Sequence, residues 1–142
     1  MNFLPMTEAA NLGIHALATI NILGKERRLS VTHLAKVLNV SRSHLAKVMQ
    51  KLVKAGFVDS IRGAKGGFTL IKKPEKISLY QIIKAIDGEM KIQKCFFDSP
   101  RCVEGECAMS KLQYEISSVI IKRLKETKLS EINVTLKNAH LI

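Results

Sequence analysis

Between Thr7 and Leu23 the chain is mostly apolar and rich in helix formers, with Pro5 ahead and Thr7 placed as an N-cap, which predicts a first helix. A turn at Gly24 to Arg28 follows. From Ser30 onward, Val31, Leu34, Ala35 and Leu38 fall on one helical face, and Asn39 ends the run. Ser41 then caps a further amphipathic stretch in which Leu45, Val48, Met49, Leu52 and Val53 recur at three and four before Gly56 stops it. Two helices joined by the short Asn39-Val40-Ser41 connection form a helix-turn-helix pattern.

The period then changes from helical to two. Phe57 to Ile61 and Gly67 to Ile71 alternate as strands, joined by the glycine-rich turn Arg62-Gly-Ala-Lys-Gly. A hairpin directly after a helix-turn-helix is a wing. Ser78 caps a short helix running through Ala85 to an end near Gly88. From Glu89 to Glu106 no period is sustained, and Pro100 and Gly105 interrupt the stretch. A structureless loop of that length usually has a task. From Ala108 to Glu126 a longer helix carries Met109, Leu112, Ile116, Val119, Ile120 and Leu124, a stripe suited to the first helix or to a second copy of itself. It is too short for a free coiled coil. The tail from Ser130 reads as a last short helix. The expected fold is therefore mainly α with a small β-hairpin wing, in a single domain spanning residues 1–142. Residues 7–77 carry the helix-turn-helix and wing, 89–107 a cysteine loop, and 108–126 the long helix.

A chain of 142 residues with 46% hydrophobic and 25% charged positions is long enough for a real core and is not disordered. No run approaches the roughly eighteen apolar residues of a membrane span, and the start lacks the pattern of a signal peptide. The expectation is a cytoplasmic protein without membrane association. Charge adds more. Between Lys25 and Lys76 stand thirteen basic residues and three acidic ones (Glu26, Asp59, Glu75), so this window alone carries +10 of the chain's +11. Such a concentrated basic block predicts a polyanion partner, and with no amphipathic membrane helix in view, nucleic acid is favoured.

In a helix-turn-helix the second helix enters the major groove with its N-terminal residues toward the base edges. Here those are Ser41, Arg42, Ser43, His44 and, a turn later, Lys47. Arginine can grip guanine bidentately, and serine and histidine can donate or accept at several bases. Lys36, Lys51 and Lys54 are expected at phosphates. On the wing, Arg62 and Lys65 project from a turn whose glycines allow close approach to a groove. Taken singly, each of these residues reads equally as a solvated cation or a helix cap. Helix pair, wing and charge in one window are what point to DNA.

Three cysteines, Cys95, Cys102 and Cys107, lie seven and five residues apart. Structural zinc sites pair ligands two to four residues apart, so the spacing does not fit zinc. Three thiolates on a loop can hold an iron–sulfur cluster; unligated thiols or a redox dithiol are the plainer reading. Lys94, Arg101 and Lys111 favour thiolates there, while Asp98, Glu104 and Glu106 oppose them.

The order of parts resembles the Rrf-two type of bacterial winged-helix regulator, which includes the iron–sulfur assembly repressor IscR, the nitric-oxide-sensing repressor NsrR and the cysteine-metabolism repressor CymR. The resemblance is carried by Gly13-Ile-His-Ala-Leu, Val40-Ser-Arg-Ser-His-Leu-Ala-Lys-Val, Leu52-Val-Lys-Ala-Gly-Phe-Val, Arg62-Gly-Ala-Lys-Gly-Gly-Phe and the three-cysteine loop, and covers essentially the whole chain. It implies a homodimer paired through the long helix, a palindromic double-stranded operator touched by Ser43, Lys47 and Arg62, and a cluster loop near the partner's first helix. The implied function is a DNA-binding transcriptional repressor that senses redox state, nitric oxide or iron–sulfur supply through a 2Fe-2S or 4Fe-4S cluster. Two departures stand out. The family's cluster binders space their cysteines six and six, and IscR-type members place a histidine where this chain has Ser110. Other members draw remaining ligands from the first helix, where Glu8, Asn11, His15 and Thr19 form a polar stripe. That stripe reads equally as a solvent face. Imidazole is the better iron ligand, so His15 is the expected fourth ligand and Glu8 the runner-up. The alternative is a cluster-free regulator answering thiol oxidation or a small metabolite. Enzymatic function is not expected, because no nucleophile–base pair, phosphate loop or carboxylate pair stands out.

Overall fold

A computed structural model describes residues 4–25, 27–92, 95, 97, 101 and 107–133. Among them five α-helices surround a core to which a two-stranded hairpin is attached, the winged helix-turn-helix arrangement. The first helix, α1 (Glu8–Leu23), is capped by the Thr7 hydroxyl, which accepts from the Ala10 N–H at 3.2 Å. From Ala10 to Ile20 nearly all of its residues are buried, because it packs against α4 (Leu79–Asp87), α3 (Arg42–Lys54) and α2 (Val31–Leu38) together. Gly13 makes that possible. A Cβ there would lie 2.2 Å from Ile86 Cδ1, so Ile86 occupies the space that a side chain at 13 would need.

The helix-turn-helix forms as its capping residues dictate. Ser30 accepts from the His33 N–H to start α2, and Ser41 accepts from the His44 N–H at 3.1 Å to start α3. Between them Asn39 adopts the left-handed conformation at φ 53°, which asparagine tolerates, and the Val40 N–H returns to the Ala35 carbonyl at 3.0 Å. Leu34 and Ala35 bury against Leu45, Val48 and Met49.

Strands β1 (Val58–Ile61) and β2 (Gly67–Leu70) pair antiparallel, with Val58 opposite Leu70 and Ile61 opposite Gly67. Each is one residue shorter than its sequence pattern suggested. The hairpin is docked by a bridge from Leu29 to Phe68, whose N–H donates to the Leu29 carbonyl at 2.8 Å. Gly67 is required at this seam. Its φ is +137°, and an added Cβ would lie 2.7 Å from the backbone carbon and oxygen of Leu29.

Helix α4 opens with a capping box between Ser78 and Gln81 and runs two residues past the expected Ala85. Helix α5 (Ala108–Glu126) matches its expected bounds. After it the chain returns to α4: Ser78 bridges Lys128, and the Leu129 N–H donates to the Ile77 carbonyl at 2.8 Å. In place of a helix from Ser130 there is a single 3-10 turn, Leu129–Glu131, and the rest of the expected tail helix lies outside the described residues. Of the stripe on α5 only Leu124 is buried, while Met109, Leu112, Ile116 and Val119 are half or more exposed. The stripe thus does not close on α1. No helix among the described residues is long and apolar enough to cross a membrane.

Because Gly67 combines a positive φ with a backbone neighbour that cannot swing aside, Gly67→Ala is expected to destabilise the fold by about 3 kcal/mol or more, combining strain with overpacking. Urea denaturation would read this, and an unchanged midpoint would contradict the seam described here.

Candidate nucleic-acid interface and cysteine segment

The residues singled out on the recognition helix are all exposed at its N-terminal end. Arg42, Ser43, His44 and Lys47 all lie in the first turns of α3 and are exposed, as are Ser41, Arg62 and Lys65. Ser41 is already occupied, since its hydroxyl caps α3 and lies 3.2 Å from the Ser43 hydroxyl. The wing turn is closed by the Gly66 N–H donating to the Gly63 carbonyl at 3.0 Å, which leaves Arg62 and Lys65 on its outer side. Among the described residues, all ion pairs lie beyond Lys76, so Arg42, Lys47, Arg62 and Lys65 keep their charge available. A helix fit for the major groove and a cationic hairpin tip beside it can bind duplex DNA through phosphate neutralisation and base-edge contacts.

One residue expected at a phosphate also makes a contact within the protein. The Lys51 ammonium donates to the Ile86 carbonyl, in the last turn of α4, at 2.7 Å. Nothing local in the sequence announced this, because the partners are 35 residues apart.

The cysteine segment leaves α4 at Gly88, whose φ of +90° ends the helix. Glu89 then fixes the first step: it accepts from the Tyr80 hydroxyl at 3.0 Å and pairs with the Lys84 ammonium at 2.6 Å. The Lys84 hydrogen bond holds the Glu89 carboxyl below its usual range, and Glu89 in turn raises Lys84 and, by accepting its hydrogen bond, Tyr80. The Lys125 ammonium stacks 4.8 Å over the Tyr80 ring, linking α5 to the same group.

Cys95 is half-buried, Cys107 is exposed, and neither is in a disulfide. Cys102 lies outside the described residues. Cys107 is the N-cap residue of α5. The neutral thiol closes no capping hydrogen bond of ordinary geometry, yet the Ser110 N–H, the Ser110 hydroxyl and the Met109 N–H hold its pKa below the ordinary cysteine value. The cause is the helix start, in place of the neighbouring lysines and arginine expected from sequence. Ser110 thus supports the thiolate from the first turn of α5.

On α1, His15 Nδ1 lies 2.8 Å from the Asn11 carbonyl. A carbonyl only accepts, so Nδ1 carries the proton of this bond and Nε2 is the ring nitrogen left for another partner. Glu8, Asn11 and His15 line an open cavity of about 200 Å³ with Leu38 and Val40, at the turn of the helix-turn-helix. Thr19 does not belong to this stripe, since it is fully buried with its hydroxyl bonded to the His15 carbonyl at 2.8 Å. Among the described residues, no three His, Cys, Asp or Glu side chains gather closely enough to hold a metal ion.

Residues 6–134 match the family model described as Rrf2, iron-dependent transcriptional regulator. A protein of Aquifex aeolicus (strain VF5), provisionally described as an HTH-type transcriptional regulator, is 33% identical over 122 residues, covering 84% of each chain. The HTH-type transcriptional regulator NsrR of Halalkalibacterium halodurans is 24% identical over 129 residues, covering 89% of this chain and 88% of that one. Among solved structures, CymR, the global cysteine regulator of Bacillus subtilis, superposes with a TM-score of 0.77 at 26% identity, covering 91% of this chain and 95% of its own.

Two outcomes are expected. Arg62→Ala should weaken DNA binding, by roughly tenfold if the side chain reads a groove; a pure phosphate contact would instead appear as a salt slope reduced by about one. Titrations at several salt concentrations separate the two. Ser110→Ala should raise the Cys107 pKa, because a hydroxyl favouring the thiolate is removed. Alkylation by iodoacetamide should then slow near neutral pH and be unchanged well above the ordinary thiol pKa, where both forms are fully ionised.

Proposed function

The chain belongs to the Rrf2 family of DNA-binding transcriptional regulators, and from that premise we propose that it is a homodimeric repressor whose hold on a palindromic operator depends on an iron–sulfur cluster carried by Cys95, Cys102 and Cys107. The observation that carries this reading is thiol chemistry: Cys95 and Cys107 are uncommitted to disulfides, and Cys107 is held toward the thiolate that iron requires. His15 supports it, because the bond from Nδ1 to the Asn11 carbonyl orients the ring and leaves Nε2 as a ligand. Glu8, on the same cavity, is the other candidate from α1. When bound, such a cluster supplies iron that answers oxidants, nitric oxide or iron–sulfur supply by changing state.

The protein's own residues do the rest. Ser43, His44, Lys47 and Arg42 present α3 to the major groove, and Arg62 and Lys65 present the wing to the adjacent groove. Ser41 serves first as the cap that orients α3. The exposed stripe Met109, Leu112, Ile116 and Val119 offers α5 to a second copy, and a two-fold dimer calls for two half-sites about one helical turn apart. A cluster-free thiol regulator is the second reading. It is favoured by Ser110, which stabilises the Cys107 thiolate without any metal.

The test is anaerobic purification followed by assay of iron, acid-labile sulfide and native mass. Stoichiometric iron and sulfide in a dimer, with His15→Ala losing cluster faster than wild type, is the expected result. A colourless, metal-free dimer that binds operator DNA would leave the thiol regulator. A monomer would remove the role given to α5.

A further inference from the structure

The last turn of α4 is where the cysteine segment, α1 and the recognition helix meet. Ile86 and Asp87 end the helix, so their surroundings must provide for carbonyls that have no partner further along it. The Ile86 carbonyl is taken by the Lys51 ammonium at 2.7 Å. The Asp87 carboxylate is taken by α1, accepting from the Thr7 N–H at 2.8 Å and from the Thr7 hydroxyl. One residue later the chain turns at Gly88 and enters the cysteine segment through Glu89. Both elements that carry the candidate cluster ligands are therefore tied to one helical turn, α1 through Thr7 and the thiol segment by direct continuation.

Lys51 occupies a telling position on its own helix. Ser43, Lys47 and Lys51 are spaced by four, so they share one face of α3. Two of the residues expected at the bases, Ser43 and Lys47, and the ammonium anchored to α4 thus lie along one row of the helix, one turn apart. The bond to Ile86 thus ties the end of α4 to the face of α3 that carries Ser43 and Lys47, in addition to the core packing of Ile86.

We propose that Lys51 is the positioning residue that conveys the state of the cysteine segment to the recognition helix, by holding α3 to the Ile86 carbonyl only while the last turn of α4 keeps its present form. The proposal rests on the reading that this segment is the sensory element. It replaces the simpler role of Lys51 as a phosphate contact, and the two make different demands. A phosphate contact strengthens binding equally in every state of the cysteine segment. An anchor that is engaged in one state and released in another alters the ratio between states.

The experiment compares wild type, Lys51→Met and Lys51→Arg as full-length dimers, each in the iron–sulfur-loaded form and in the metal-free form with its thiols capped by methyl methanethiosulfonate. Operator affinity is measured across salt concentrations, with iron, sulfide and capped thiols counted on the same samples and thermal unfolding checked for each variant. Wild type should differ between the two forms by about 5-fold to 150-fold, the usual range of such coupling. Lys51→Met should bring that ratio to within about twofold of one, and Lys51→Arg, which can still donate to the Ile86 carbonyl, should restore most of it. Should Lys51→Met unfold, the arginine variant and a Lys51→Gln variant carry the comparison. A Lys51→Met protein that weakens equally in both forms and lowers the salt slope by about one is a phosphate contact, which overturns the proposal. If wild type takes up iron or the thiol cap and its affinity does not move, the sensory reading fails and the relay with it. If wild type responds and Lys51→Met responds equally, the relay alone fails.

Discussion

The close approach of α1 to α4 at Gly13 governs the placement of the other elements. The absence of a side chain at 13 lets the Ile86 side chain settle against the helix backbone, and the contact is made deep in the core between Ala10 and Ile20. Because protein interiors are close-packed, α1, α3 and α4 cannot adjust independently once that contact is made. The two polar ties at the end of α4, from Lys51 and from Thr7, are then short and directed, as the helices that bear them are already in register. A helix-turn-helix held only by its own α2–α3 contact would lack this reference. Here it is fixed to the same post as the cysteine segment.

What was legible in the sequence is local. Thr7, Ser41 and Ser78 cap the helices they were expected to cap, Asn39 makes the turn, and the change of period at Phe57 marks the hairpin. These signals act within a few residues, so one chain suffices to read them. The misreadings share a different cause. Thr19 looked like part of a polar stripe but is buried, because a helical hydroxyl can satisfy itself on the carbonyl four residues back and pass as apolar. Lys51, expected at a phosphate, gave no sign of its bond to Ile86, and Asp87 gave none of meeting Thr7 from 80 positions away. Long-range polar bonds leave no periodic trace. The site was legible as residue types, its cations and thiols, and much less as an arrangement.

Charge is segregated as strongly in space as along the chain. Lys84 with Glu89, and Lys122 and Arg123 with Glu126, are all on the C-terminal side of the wing. Such exposed pairs add little stability, so their location matters more than their strength. Among the described residues, no ion pair falls between residues 25 and 76, where ten of the chain's eleven net positive charges lie. The outcome is a molecule with a pronounced polarity, oriented toward a polyanion before any specific contact is made.

The return of the chain after α5 has a mechanical meaning. Ser78 bridges Lys128, and the Leu79 N–H donates to the Thr127 carbonyl at 3.0 Å, so α5 is pinned at its C-terminal end to the start of α4. Its other end begins at Cys107. With 19 residues the helix is about 28 Å long, and each degree of tilt about the pin moves the cysteine end by about 0.5 Å. The helix is thus a lever with a fulcrum at Lys128, a load along its exposed apolar face and its handle at a thiol. A tilt about that pin moves the thiol at Cys107 further than it moves Leu124, which stays in the core.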